Sequence, residues 1–334
     1  MVHKKKIYLR ADGNSEIGLG HVIRSLALAE MLKEDFDCVL ATRFLADYIN
    51  MEARKVCSDI IKLPESEDHF NSFLFFLSGD EIVVLDNYFF NTDYQKAIKN
   101  KGCKLVCIDD IHDMHFVADI VINHAPHVLI SDYSVESYTK CLLGTKYALL
   151  RFPFLHMTKQ IKKYSGARNV FVCFGGSDSN NITQRVVERL LSFAFIEMIY
   201  IVTGSAYLYL TKLQKFIEQY SNRIISYSSI TPKKMTDILS KSDFAVVPCS
   251  SILFECMSAK LPVITGYYTE NQKHISDYFI DKNIGCVVGD FNMNLFNEKD
   301  VLDLSQNNVD VIEDQIDGDS GNRLKNEFKN LCYV

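Results

Sequence analysis

Short, wholly apolar runs alternate along the chain with longer amphipathic ones. Ile7-Tyr8-Leu9, Cys38-Val39-Leu40-Ala41, Ile82-Val83-Val84-Leu85, Leu105-Val106-Cys107-Ile108 and Ile120-Val121-Ile122 have strand length and many β-branched residues. After the first of them, Val22, Leu26 and Ala29 recur at helical spacing, with Ile23, Ala27 and Met31 beside them. Strands that are apolar at every position and separated by helices predict a parallel sheet covered on both faces. The pattern breaks at the polar, basic stretch from Lys159 to Arg168 and then restarts. Asn169–Phe174, Met198–Val202, Ile224–Tyr227, Phe244–Pro248 and Pro262–Thr265 make the second series. The expected fold is α/β, with Rossmann-like domains over 1–155 and 165–334 and a linker near 152–168. The polar tail, ending in the helix-like Arg323–Leu331, goes with the second domain on this reading.

In parallel sheets ligands bind at the carboxyl ends of strands. Asp12, Asp86-Asn87-Tyr88, Asp109-Asp110 and Asn123-His124 fall there, as does the loop Gly18-Leu19-Gly20 leading into His21. A strand, a glycine loop and a helix start bring backbone N–H groups and the positive helix end to one place, which suits an anion. A tight turn with a capping histidine fits the same residues. Neither the dinucleotide pattern nor the P-loop matches, because Ile23 stands three places after Gly20 and no Gly-Lys-Ser/Thr follows. The second half has two comparable junctions. One is Gly175-Gly176-Ser177-Asp178; the other is Ser250-Ser251, with Glu255 one helical turn on. Small residues at a helix start leave N–H groups for a diphosphate, and a glutamate accepts hydrogen bonds from a ribose diol. A plain turn and an N-cap serine are the alternatives. Three such junctions at matching ends of two halves favour the ligand.

Composition narrows the partners. The chain has 334 residues and a formal net charge of −6, which argues against nucleic acid or an anionic membrane. Ten cysteines, several inside apolar runs, fit buried thiols in a reducing cytoplasm. The basic start, Lys4-Lys5-Lys6, precedes an apolar run broken at Arg10 and Asp12, so neither a signal peptide nor a membrane span is expected. Asp109-Asp110-Ile111-His112-Asp113-Met114-His115 has the residue types of a metal site, but reads as a polar loop at a strand end. His124 and His127, on either side of Pro126, are surface or site-lining residues.

The chain resembles the UDP-sugar hydrolases of pseudaminic acid biosynthesis, and their shorter spore-coat polysaccharide relatives. The matching residues are Arg10-Ala11-Asp12 with Ile17–Arg24, Leu85–Tyr88, Ile108–Asp110, Leu142–Arg151, Phe174–Asp178 with Asn181 and Thr183, Ser250–Glu255, and Glu270–Gln272. More distantly it is similar to GT-B glycosyltransferases. The resemblance implies a GT-B fold, two Rossmann-like domains facing a cleft. It implies hydrolysis of UDP-2,4-diacetamido-2,4,6-trideoxy-β-L-altrose with inversion, without metal or cofactor, for flagellin or surface glycosylation. His21 would activate water. Asp12, Gly18, Gly20, Tyr88 and Asn271 would line the sugar site; Gly175, Gly176, Ser250, Ser251 and Glu255 would hold the nucleotide. Gly13-Asn14, Asn87, Cys249 and Phe254 depart from the family pattern, and Cys249 replaces a glycine where a side chain is expected to crowd the phosphates. Transfer of the sugar to an acceptor, or binding without turnover, are the competing functions.

Overall fold

The computed structural model describes residues 4–14, 17–126, 128–159, 166–304 and 316–332; His127 and linker residues 160–165 lie outside them. Two compact units emerge, Met1–Phe152 with Asp319–Val334, and Pro153–Gly318.

The first unit runs β1 (Lys6–Ala11), α1 (Gly20–Leu32), β2 (Asp37–Thr42), α2 (Asp47–Val56), β3 (Asp59–Lys62), α3 (His69–Phe75), β4 (Ile82–Asp86), α4 (Thr92–Asn100) and β5 (Lys104–Ile108). It continues through β6 (His115–Phe116), β7 (Ile120–Asn123), β8 (Ser134–Val135) and β9 (Lys140–Leu143). Seven strands form a parallel sheet in the order β3-β2-β1-β4-β5-β7-β9. The apolar runs are its strands, and their side chains are buried on both faces. Strand order reverses between β1 and β4, whose register sets Ala11 opposite Asp86. Such a switch point opens a crevice at the strands' carboxyl ends.

The tail departs from expectation. Its helix, Ser320–Leu331, packs on α1 and so belongs to the first unit, not the second. Leu324 and Phe328 are fully buried in the first core, with the Phe328 ring 6.3 Å from that of Phe36. Burying each stabilises the unit by roughly 1.5–3 kcal/mol. Lys329 pairs with Asp35 at 2.6 Å. A pattern of apolar positions shows that a helix is amphipathic, not which sheet it covers.

The second unit contains α5 (Phe152–Met157), β10 (Asn169–Val172), α6 (Ile182–Leu191), β11 (Met198–Thr203), α7 (Leu210–Glu218), β12 (Ile224–Ser228) and α8 (Pro232–Lys241). Then come β13 (Phe244–Val246), α9 (Ser251–Ser258), β14 (Val263–Tyr267), α10 (Lys273–Asp281), β15 (Cys286–Asp290) and α11 (Glu298–Asp303). Its parallel sheet has the order β12-β11-β10-β13-β14-β15, with the switch between β10 and β13. Among the described residues no helix is long and apolar enough to cross a membrane.

Candidate active site

The first predicted junction lies at the first switch point. α1 starts at Gly20, so His21 is its second residue and points back toward the strand ends. The loop before it is closed by Gly18, whose N–H donates to Asn14 O at 2.9 Å and whose φ is +83°. A Cβ added at Gly18 or Gly20 would meet no atom within 4 Å. Gly20 therefore leaves room beside His21 that packing within this unit does not require.

His21 is buried, and its Nδ1 lies 2.7 Å from Asp86 Oδ1, across the switch point. Arg24, one turn along α1, clamps the same carboxylate side-on. Its Nε donates to Oδ2 at 2.8 Å and a terminal nitrogen donates to Oδ1 at 2.6 Å. The Ser25 hydroxyl donates to Oδ2 at 3.3 Å. Burial pushes the Asp86 carboxyl upward, but Arg24 and His21 outweigh it and hold the group below its usual range. Two groups meet His21 Nδ1, Asp86 Oδ1 at 2.7 Å and a terminal nitrogen of Arg24 at 3.1 Å; the nearer, an ionised oxygen, can only accept, so it takes the Nδ1 proton. The Nε2 lone pair is then the basic one. Tyr88, half-exposed, sets its ring edge against the imidazole, with centroids 4.7 Å apart.

Asp109 and Asp110 follow β5 and take different partners. Asp110 accepts from Arg24 at 2.8 Å and from the Tyr88 hydroxyl, and Arg24 keeps it below its usual range against the cost of burial. Asp109 accepts from Tyr133 at 2.9 Å and from the His112 N–H at 2.8 Å, and burial still pushes it up. Asp109 and the Oδ2 of Asp110 are thus tied to protein partners, while Asp110 Oδ1 is buried without a hydrogen-bond partner. His124, at the end of β7, accepts from the Leu149 N–H; burial and the charge of Arg24 push it down to about 4, so it is neutral.

Asp12, expected to line the sugar site, is fully buried with its carboxylate engaged by its own chain. Arg10 donates to both oxygens (2.7 and 2.9 Å), and Arg43 donates through its backbone N–H and Nε, both at 2.7 Å. Burial raises Asp12, yet these partners win and hold it low. His69 accepts from Arg10 at 2.9 Å and is pushed down to about 4 by burial and the two arginines. Phe89 and Phe90 lie under the guanidinium groups. The same residue has a second task through its backbone. Its N–H donates to Asn87 Oδ1 at 2.6 Å, tying the loop after β1 to the loop after β4.

The other two junctions lie at the second unit's switch point. Gly175 has a φ of +80° and Gly204 packs so tightly on Gly176 that a Cβ would come within 2.4 Å of its carbonyl oxygen. The start of α6 is not open to a diphosphate as expected. Asp178 fills it, accepting from the Ile182 and Thr183 N–H groups at 2.8 Å each. Asn181 holds the N-cap position, with φ +52°, and Asp178 reaches past it from three residues upstream, so the ordinary capping pattern does not pick it out. Ser250 caps α9 by position, without a side-chain cap hydrogen bond, and Ser251 opens the helix. Glu255 is buried on α9. Cys249 does not crowd this helix start. It is buried with its sulfur 3.3 Å from Thr265 Oγ1, inside the unit. Asn271 is exposed after β14, accepting from the Thr269 hydroxyl at 2.7 Å. His21 and Tyr88 therefore meet in one unit, while Gly175, Gly176, Ser250, Ser251, Glu255 and Asn271 belong to the other.

Asp86 and Asp110 fall at strand ends where ligands bind, but the sequence assigns neither them nor Arg24 a role at the site. The one-turn spacing of Arg24 from His21 is visible in the sequence, whereas the contact with Asp86 depends on β4 lying beside β1.

No family model matches the chain. An uncharacterized protein of Methanocaldococcus jannaschii is 27% identical over 83% of the chain, which spans 58% of that protein's length. The UDP-2,4-diacetamido-2,4,6-trideoxy-β-L-altropyranose hydrolase of Campylobacter jejuni is 28% identical over 83% of the chain and 97% of its own length. The spore coat polysaccharide biosynthesis protein SpsG of Bacillus subtilis is 24% identical over 84% and 82%. Among solved structures, Acinetobacter baumannii MurG aligns over 98% of the chain and 99% of its own, with a TM-score of 0.62 at 11% identity. A putative UDP-N-acetylglucosamine 2-epimerase of Listeria monocytogenes aligns over 98% of both, with a TM-score of 0.63 at 12% identity. The chain is related to the Campylobacter hydrolase, and its fold is GT-B, with two Rossmann-like domains.

Proposed function

We propose that the protein hydrolyses a UDP-linked 2,4-diacetamido-2,4,6-trideoxy sugar at its anomeric carbon, releasing UDP with inversion, in nonulosonic acid biosynthesis. The observation that carries the reading is the imidazole of His21, held through Nδ1 by a buried, ionised Asp86. Its relative from Campylobacter, a named UDP-sugar hydrolase, supplies the substrate class.

His21 Nε2 takes a proton from water as the water oxygen forms its bond to the anomeric carbon. The bond from that carbon to the diphosphate oxygen breaks, and its electron pair leaves with UDP. The resulting imidazolium is stabilised by Asp86, which also keeps the ring from rotating. Tyr88 and Asn271 orient the acetamido groups; Gly18 and Gly20 make room for the sugar. Gly175, Gly176, Ser250 and Ser251 serve the diphosphate, and the N–H groups at the start of α9, which take no side-chain cap, stabilise the growing charge. Glu255 takes the ribose hydroxyls. The ten free thiols fit a reducing compartment, consistent with a cytoplasmic enzyme.

Incubation of the purified protein with a panel of UDP-diacetamido sugars, followed by NMR, tests the reading. UDP release without an acceptor, with an inverted anomeric signal, is expected, and His21→Ala abolishes release while UDP still binds. Release that needs an acceptor would make the protein a transferase, and binding without release would make it a carrier.

A further inference from the structure

We propose that Asp110 is a positioning residue for the reaction, holding in place the counter-charge for a protonated His21; this rests on the role given to His21 above. Five side chains from three elements form a closed ring. His21 and Arg24 come from α1, Asp86 and Tyr88 from the end of β4 and the turn beyond it, and Asp110 from the turn after β5. Each link is a direct contact. Imidazole meets Asp86 at 2.7 Å, Asp86 meets Arg24 at 2.6 Å, and Arg24 meets Asp110 at 2.8 Å. Asp110 takes the Tyr88 hydroxyl, and the Tyr88 ring returns to the imidazole edge.

The charge count gives the ring its purpose. Two carboxylates and one guanidinium leave one net negative charge while the imidazole is neutral. Proton transfer from water to His21 brings the ring to neutrality. Arg24 stands 3.1 Å from His21 Nδ1, so without Asp110 it would cancel Asp86 and the imidazolium would form beside an uncompensated guanidinium. A preplaced charge costs no reorganisation when the proton arrives. The remaining groups nearby do not supply it. His124 is neutral, and Asp109 faces Tyr133 and the His112 N–H instead. Asp110 never touches the reacting atoms on this view. It acts through Arg24, and through Tyr88, whose ring it fixes against His21.

Asp110→Asn keeps the shape and removes the charge. Expected is a fall in kcat of about tenfold, with KM changed by less than about twofold, and an acid limb of kcat/KM displaced downward by about one pH unit. Asp110→Glu recovers most of the loss. A folded Asp110→Asn protein with unchanged kcat and an unmoved acid limb overturns the proposal. A second readout needs no turnover. The 15N signals of His21, titrated in the substrate-free protein, are expected to move their midpoint down by about one unit in Asp110→Asn. If the wild type releases no UDP, the hydrolytic reading fails by itself, and this titration still decides for or against Asp110. If Asp110→Asn does not fold, Tyr88→Phe removes only the hydroxyl that reaches Asp110. Its kcat is expected to fall severalfold with KM unmoved, which separates the ring from the acetamido contact given to Tyr88 above; an unchanged kcat, or a rise in KM alone, counts against the ring.

Discussion

Replacing Asp86 by asparagine keeps the shape of the side chain and removes its charge, so it isolates what the buried carboxylate contributes. Four contacts converge on it, from His21 at 2.7 Å, Arg24 at 2.6 and 2.8 Å, and Ser25 at 3.3 Å. An amide has one acceptor oxygen, so one side of the new group must face donors. The better orientation sets the oxygen toward His21 and Arg24 and the NH₂ toward Arg24 Nε and Ser25. Ser25 can rotate its hydroxyl, but the Arg24 Nε–H cannot turn away. One charge-assisted hydrogen bond is lost, about 1.5–3 kcal/mol, and breaking a buried ion pair costs about 3–5 kcal/mol in all. Arg24 retains Asp110, which puts the expected loss at the lower end, about 3 kcal/mol. The pH dependence has a definite sign. Asp86 is held below its ordinary value, so its contribution is present above the unfolded value of about 3.9 and fades as pH falls through the folded one. Guanidinium unfolding followed by far-UV circular dichroism should show the full deficit at pH 7, still present at pH 5 and shrinking below about pH 4. A deficit under about 1 kcal/mol at pH 7, or one that stays constant into the acid range, refutes the reasoning. UDP release by the same variant should fall by roughly a hundredfold or more, because the amide no longer stabilises the imidazolium.

Two further changes separate structural residues from substrate residues. Asp12→Asn should destabilise the first unit by about 3 kcal/mol, since it leaves Arg10 and Arg43 facing each other without a charge between them; the check is urea unfolding, and a variant of native stability with a raised KM would restore Asp12 to the sugar site. Gly20→Ala should leave stability within about 0.5 kcal/mol, because its Cβ meets no atom, yet raise KM for the UDP-sugar by about tenfold, read from initial rates.

The sheets were legible because a strand buried on both faces must be apolar throughout, and the runs at Ile82–Leu85 and Ile120–Ile122 leave little else to form. His21 was legible because a histidine directly after a glycine loop occupies a helix start whatever the tertiary fold. Its partner was not. Asp86 lies 65 residues away in sequence, and the contact exists only because β4 crosses to the far side of β1. The partners of Asp12 were hidden for a related reason. An acid at a strand end resembles a ligand group until Arg43, 31 residues on, is folded against it. The α6 start differs for another reason, since Asp178 lies outside the N-cap position and reaches the Ile182 N–H only once the loop is folded.

The helix Ser320–Leu331 covers the back of α1, the helix that carries His21. During synthesis these two segments are separated by the whole second unit. At about 5–20 residues per second, α1 waits roughly 15–60 s for its cover. Throughout that interval the apolar surface that Leu324 and Phe328 will bury is exposed on the ribosome. The second unit has no such dependence and is free to fold first. The histidine made near the start of translation is therefore among the last parts of the molecule to reach its final setting.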